Sequence, residues 1–167
     1  MYTNNKVGNV IYKVIEYFGD DVRRINHFLK VYGYVKMIGE CENLDDSMQE
    51  ILEVTAVLHD VGIKVAEQKY NSSAGHYQQL EGPPVAKKIL DELGYTDDFV
   101  ERVMYLIAHH HTYTNIDGMD YQILVEADFL VNADEDRLSN DAIENFKEKI
   151  FKTTTGIAVL ENNYLNL

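Results

Sequence analysis

Apolar residues in this chain recur at intervals of three and four in nearly every segment, and the only two prolines, Pro83 and Pro84, are adjacent. That spacing lines up side chains along one face of a helix, whereas a strand would require strict alternation. It predicts an all-α fold: a compact bundle of helices burying their apolar stripes against one another. The chain has 167 residues, which points to one domain spanning 1–167, with a radius of gyration of ~15 Å and enough core to be stable without disulfides.

Near the start, Val7, Val10, Ile11, Val14, Ile15 and Phe18 form one stripe that stops at Gly19. Asp20 or Asp21 can cap the next helix, which runs through RRINHFLKVYGYVKMIGE. Asp46 with Gln49 three residues later has the form of a capping box, and the stripe Ile51, Val54, Val57, Leu58 continues from it until Gly62. From Lys64 to Gly82 the pattern fades into polar, glycine-bearing sequence, which reads as a long surface loop. Pro84 suits the first turn of a short helix ending at Gly94, and Thr96 caps another that leads into His109, His110 and His111. A second polar loop, Thr112 to Asp120, precedes a helix from Tyr121 to about Ala133, and a final helix begins near Asn140.

Charge narrows the possible partners. Fifteen Lys and Arg stand against 28 Asp and Glu, a formal charge of −13. A polyanion meets net repulsion over most of such a surface, so binding to a nucleic-acid polymer or an anionic membrane is not expected. A small phosphorylated ligand is compatible, because a metal or a local Arg/Lys cluster reverses the field inside one cleft. A homodimer is not excluded by this charge. Cys41 is the one cysteine, so neither a disulfide nor a thiolate zinc cage can form within the chain, and a reducing, cytoplasmic compartment is expected. The opening MYTNNKVGNVIYKV is not a charged leader before an apolar run, and no apolar stretch reaches the roughly 18 residues of a membrane span, so export and membrane insertion are not expected.

No Walker A loop, G-x-G-x-x-G, H-E-x-x-H or G-x-S-x-G context is present. The chemistry-bearing residues that remain are six histidines and the carboxylates near them. His27 shares a helix face with Val31 and Ile38, which turns its imidazole toward the interior. Asp128 lies four residues after Leu124 and three before Val131. A carboxylate on such a core stripe costs several kcal/mol unless a cation or strong hydrogen bonds meet it. Imidazole and carboxylate ligands without thiolate suit Zn, Mn, Fe, Co or Ni better than Ca or Mg.

The order His27, then His59 and Asp60, then Asp128, in the pieces RINHFLKV, LHDVGIK, LIAHHHT and EADFLVNADED, resembles the HD superfamily of metal-dependent phosphohydrolases. The resemblance implies an all-helical HD domain with a motif core at about 20–135 and a metal site in a central cleft. It implies that His27, His59, Asp60 and Asp128 hold a divalent transition metal (Fe, Mn, Zn, Co or Ni), that Asp60 can bridge to a second ion, and that His109, His110 or His76 supply its further ligands. The helical stripe Val100, Val103, Ile107 favours His110 as the inward member of the three adjacent histidines.

The activity so implied is hydrolysis of a phosphoester or phosphoanhydride bond in a nucleotide or other small phosphorylated molecule by a metal-activated water. Asp60 and Lys64 are the candidate catalytic residues. Lys64, four residues after Asp60, reaches a phosphoryl oxygen if the helix persists through Gly62, and Arg24 is a second candidate for substrate binding. Tyr70, Tyr77 and Tyr113 sit in the two polar loops, where substrate selection is expected. No GYP segment follows the paired histidines, which removes support for the branch that hydrolyses cyclic di-GMP. Two other readings stay open at this point: a di-iron oxygenase of the same fold, and a non-catalytic module that retains its metal while binding a ligand or signalling.

Overall fold

The computed structural model describes residues 6–166, and among these the chain is helical with no strand. Among the described residues nine α-helices follow one another: α1 (Lys6–Phe18), α2 (Val22–Cys41), α3 (Asp46–Leu58), α4 (Gly62–Tyr70), α5 (Gly75–Glu92), α6 (Asp97–His109), α7 (Met119–Glu135), α8 (Asn140–Ile150) and α9 (Thr154–Leu160). A π-helical turn, Glu161–Leu165, follows α9. The architecture is the all-α bundle that the apolar spacing predicts.

Local chemistry explains most boundaries. Val10, Val14 and Phe18 are buried at i, i+4 spacing, and α1 ends where Gly19 adopts a left-handed φ of 65°. Asp21 caps α2, its carboxylate accepting from the Arg24 amide at 3.2 Å. At α3 the cap is Asp45, which is extended and accepts from the Met48 amide at 2.9 Å, while Asp46 is already in the first turn. The expected box of Asp46 and Gln49 is therefore not formed. Gln49 instead donates to Glu53 at 2.9 Å.

The largest departure from expectation is the stretch Lys64 to Gly82, which is not a loop. It holds α4 and the first half of α5, separated by a short break at 71–74. Pro83 and Pro84 lie inside α5 rather than at its start, at the cost of two ladder hydrogen bonds. Packing outweighs that loss. A Cβ on Gly62 would fall 2.6 Å from the Gln78 carbonyl oxygen, and one on Gly82 would fall 2.6 Å from Ile107. The two glycines thus let α4 and α5 approach backbone to backbone and let the Ile107 side chain of α6 pack against α5, and neither works as a helix stop. The C-terminal α9, too, lies beyond what the periodicity predicts.

Two apolar clusters form the core. One joins α1, α2, α3, α5 and α6 around Phe28, Leu58, Leu90 and Ile107. The other surrounds α7, with Leu52, Leu106, Leu124 and Leu130. Helix α7 is buried on nearly every side, and burial extends to its polar residues Asp120, Gln122, Glu126 and Asp128. A polar group in that position must find a partner, and α7 therefore positions the site described next.

Candidate metal centre

The turn between α3 and α4 is made of His59, Asp60 and Val61. Its backbone stays close to helical, with the Val61 amide on the Leu58 carbonyl and the Ile63 amide on that of Asp60, but the change of axis aims His59 and Asp60 inward. There they meet His27 from α2 and Asp128 from α7. His27 Nε2 lies 3.2 Å from Asp128 Oδ1, 3.3 Å from His59 Nε2 and 3.4 Å from Asp60 Oδ2. His59 Nε2 is 3.4 Å from Asp128 Oδ1 and 3.5 Å from Asp60 Oδ2.

These spacings fit one first-row divalent ion. Ligands ~2.1 Å from a common centre and near right angles to one another are ~3 Å apart, so a slight contraction brings His27, His59 and Asp60, whose donor atoms lie within 4.8 Å of one another, to one ion, and Asp128 adjoins them through both imidazoles. The distal nitrogens are fixed as a metal requires. His59 Nδ1 donates to the Ala56 carbonyl at 2.7 Å, and His27 Nδ1 pairs with Glu135 Oε2 at 2.8 Å. Once its Nε2 proton is displaced, each imidazole so held turns an Nε2 lone pair to the centre.

A second group of donors adjoins the first through Asp60. His110 Nε2 stands 3.5 Å from Asp60 Oδ1, and its Nδ1 is held by the Ile107 carbonyl at 2.7 Å. That Nε2 is buried and has no hydrogen-bond partner among the described residues. Asp60, His110 and His111 bring one donor atom each within 4.8 Å of one another. Asp60 thus turns one oxygen to each group, the arrangement a carboxylate needs to bridge two ions.

Electrostatics follow from this crowding. Burial disfavours charge on His59, but the Asp60 and Asp128 carboxylates outweigh it and lift the imidazole to about 9. His27 is raised in the same way, against burial, by Asp128 and Asp60. Burial opposes ionisation of Asp60 and Asp128 as well, yet the imidazoles hold both below the usual carboxylate range. His111 goes the other way, lowered to about 4 by burial and by His110, and stays neutral at pH 7.

Comparison with known proteins agrees with this geometry. The model of the HD domain family matches residues 24–145. The chain belongs to the HD domain family. Among solved structures it is similar to a predicted HD superfamily hydrolase from an uncultured Thermotogales bacterium, with a TM-score of 0.64 and 22% identity over 95% of this chain and 83% of that one. No curated protein gives a significant match.

Above the four donors, this HD domain opens into a cleft of about 310 Å³. Arg23, Arg24 and His27 of α2 line it with Gln78 of α5 and Glu135 of α7, and Asp60 reaches it from below. Arg24 therefore reaches the cleft, but its guanidinium is paired with Asp21 at 2.8 Å and Glu67 at 2.5 Å.

Lys64 is not brought to the cleft. The expected i, i+4 relation to Asp60 fails because the axis changes at the His59–Val61 turn, and the exposed Lys64 amine donates to the Tyr17 carbonyl at 2.9 Å, over that tyrosine's ring. His76 is exposed in the first turn of α5, its ring tilted against that of Tyr77 and apart from both donor groups. His109 binds the Tyr105 carbonyl and also lies outside them. Tyr113 packs edge-on against Phe146, and no residue of Thr112–Asp120 lines the cleft.

Among the site residues that were not singled out by the sequence are Asn132, Glu135 and His111. Asn132 and Glu135 follow Asp128 by four and seven positions, so helical spacing alone puts them on its face. His111 is held through its Nε2 to Gln78 Oε1 at 3.1 Å, a contact between distant segments that no local pattern announces. Among the described residues no helix is long and apolar enough to cross a membrane.

Proposed function

We propose that this HD domain is a metal-dependent phosphohydrolase that cleaves a phosphoester or phosphoanhydride bond in a nucleotide or other small phosphorylated molecule. The observation that carries the reading is the convergence of His27, His59, Asp60 and Asp128, from three separate parts of the chain, beneath an open cleft. Structural sites are closed by protein ligands, whereas a catalytic site keeps a side open to water and substrate. When bound, a divalent ion supplies phosphate charge neutralisation and a water whose pKa is lowered toward neutrality.

The chain's own residues then have separate tasks. His27, His59 and Asp128 are the fixed donors. Asp60 is a fourth donor and the only one of the carboxylates in the four-donor set that also lines the cleft, so it orients the attacking water by accepting its hydrogen bond. Arg23 and Arg24 line the wall where a phosphoryl group would rest. Hydrolysis makes one P–O bond from water, breaks the ester or anhydride P–O bond, and leaves the water's proton with the departing oxygen.

The test is elemental analysis of untagged protein, together with phosphate release from a panel of nucleotides with and without added Mn, Co or Ni. Near-stoichiometric metal with metal-dependent release is the expected result. Two irons without phosphate release would move the assignment to an oxygenase, which the second donor group of Asp60, His110 and His111 also suits. No metal under any condition would leave a ligand-binding module.

A further inference from the structure

The cleft's polar groups divide into those already committed to the protein and those left free. Arg24 is held by Asp21 and Glu67. Gln78 spends its amide on the Ser73 carbonyl at 2.6 Å and on His111 at 3.1 Å. Glu135 is shared between His27 at 2.8 Å and Lys30 at 3.1 Å. Among the described residues no such bond engages the side chains of Arg23, Ser73, Asn132 or Asp136, although all four line the same cleft.

The free set has a clear chemistry: one guanidinium, one amide, one hydroxyl and one carboxylate. Taken whole, the lining holds four carboxylates against two guanidiniums, and no lysine. A phosphomonoester brings a charge of about −2, which a divalent ion and one free arginine can balance. Each further phosphoryl group adds negative charge in a cleft whose lining has no further free cationic side chain to meet it and with Asp136 unpaired at its wall. Like charges brought together in that way are unfavourable and serve as discrimination. The cleft volume of about 310 Å³ lies at the small end of ligand pockets, which run from ~300 to ~1,000 Å³.

Resting on the phosphohydrolase reading, we infer that the cleft selects a phosphomonoester with a neutral, hydroxyl-bearing remainder, such as a nucleoside or sugar monophosphate, over polyphosphates. Arg23 is the partner of its phosphate, and Asn132 and Asp136 take its hydroxyls. Arg24 serves as frame: its ion pairs join the start of α2 to α4 and fix the wall from which Arg23 projects.

The experiment compares the mono-, di- and triphosphates of one nucleoside, with a sugar monophosphate, as substrates of the Mn-loaded protein and of its Arg23→Ala and Asp136→Asn variants. Inorganic phosphate binding is followed by calorimetry on the same samples. The monophosphate is expected to exceed the triphosphate in kcat/KM by about tenfold or more. Arg23→Ala should weaken inorganic phosphate binding and raise the monophosphate KM by about tenfold, with metal content unchanged. Asp136→Asn should narrow the gap by raising turnover of the triphosphate. A preference for triphosphate, or an Arg23→Ala variant equal to wild type in phosphate binding and KM, overturns this inference and leaves the hydrolase reading standing. Absence of phosphate release from every compound overturns the hydrolase reading and the inference with it.

Discussion

Helix α7 carries two buried carboxylates two residues apart, Glu126 and Asp128, whose surroundings could hardly differ more. Glu126 is surrounded by neutral donors. It accepts from the Gln122 amide at 2.7 Å, from the backbone N–H groups of Lys152 and Thr153 at 2.7 and 3.0 Å, and from the Thr153 hydroxyl. Asp128 has two imidazoles, His27 and His59, and lies beneath the cleft. The first environment is complete without any added ion, and its donors tie α7 to the segment leading into α9. The second brings together imidazoles and carboxylates, a donor set of the kind that holds a cation. Burial of a carboxylate therefore identifies no function by itself, whereas the nature of its neighbours does.

Exchanging the consequences of these two positions is the sharpest test of that contrast. Asp128→Ala should weaken metal binding on the order of a thousandfold, with loss of any metal-dependent turnover, because one of four donors is gone. Calorimetric titration and elemental analysis would check it, and retention of both metal and turnover would remove Asp128 from the centre. Glu126→Ala should do the opposite, leaving metal affinity in the folded protein unchanged while lowering stability by about 3 to 5 kcal/mol, since buried donors lose their acceptor. Urea unfolding measures that loss, and a change below ~1 kcal/mol would mean that the buried donors find other partners.

The same contrast explains what was legible beforehand. Spacing placed His27, Asp128 and His110 on inward faces, because a helix converts sequence interval directly into direction. The helices that bear them were legible for the same reason. The misreadings all involve something that interval does not encode. Gly62 looks like a stop and Gly82 like part of a loop, but both act through close contact with neighbouring helices. The pair Pro83 and Pro84 looks like a helix start, but packing carries α5 through it. Lys64 looks placed by its distance from Asp60, but the turn at His59–Val61 changes the axis between them. His111 and Gln78 meet only because α5 and the end of α6 come together in space, 33 residues apart.

Glu135 extends the comparison to a third carboxylate, one that touches an imidazole without facing the centre. It holds His27 Nδ1 and is itself braced by Lys30. Such an outer partner fixes the ring's tautomer and orientation, so Glu135→Ala should lower metal affinity by about 10- to 100-fold. Glu135→Gln, which keeps an acceptor for Nδ1, should recover much of it. Equal losses in the two variants would point to the negative charge rather than to the hydrogen bond as the source of the effect.

A last effect is one of pH, and its sign follows from His59. In the metal-free protein the imidazole is lifted to about 9, so at pH 7 it is protonated, and a metal must displace that proton to use the nitrogen. Affinity should therefore rise about tenfold per pH unit between 7 and 9 and level off above, because beyond that point no proton remains to be released. His27, raised in the same direction, steepens the slope wherever it too is protonated. Glu126 has no imidazole beside it, so Glu126→Gln should reproduce the wild-type pH slope even as stability falls. A metal affinity independent of pH between 7 and 9 would show that the proton is already absent from His59, and that the carboxylates beside it do not hold a charge pair in the metal-free state.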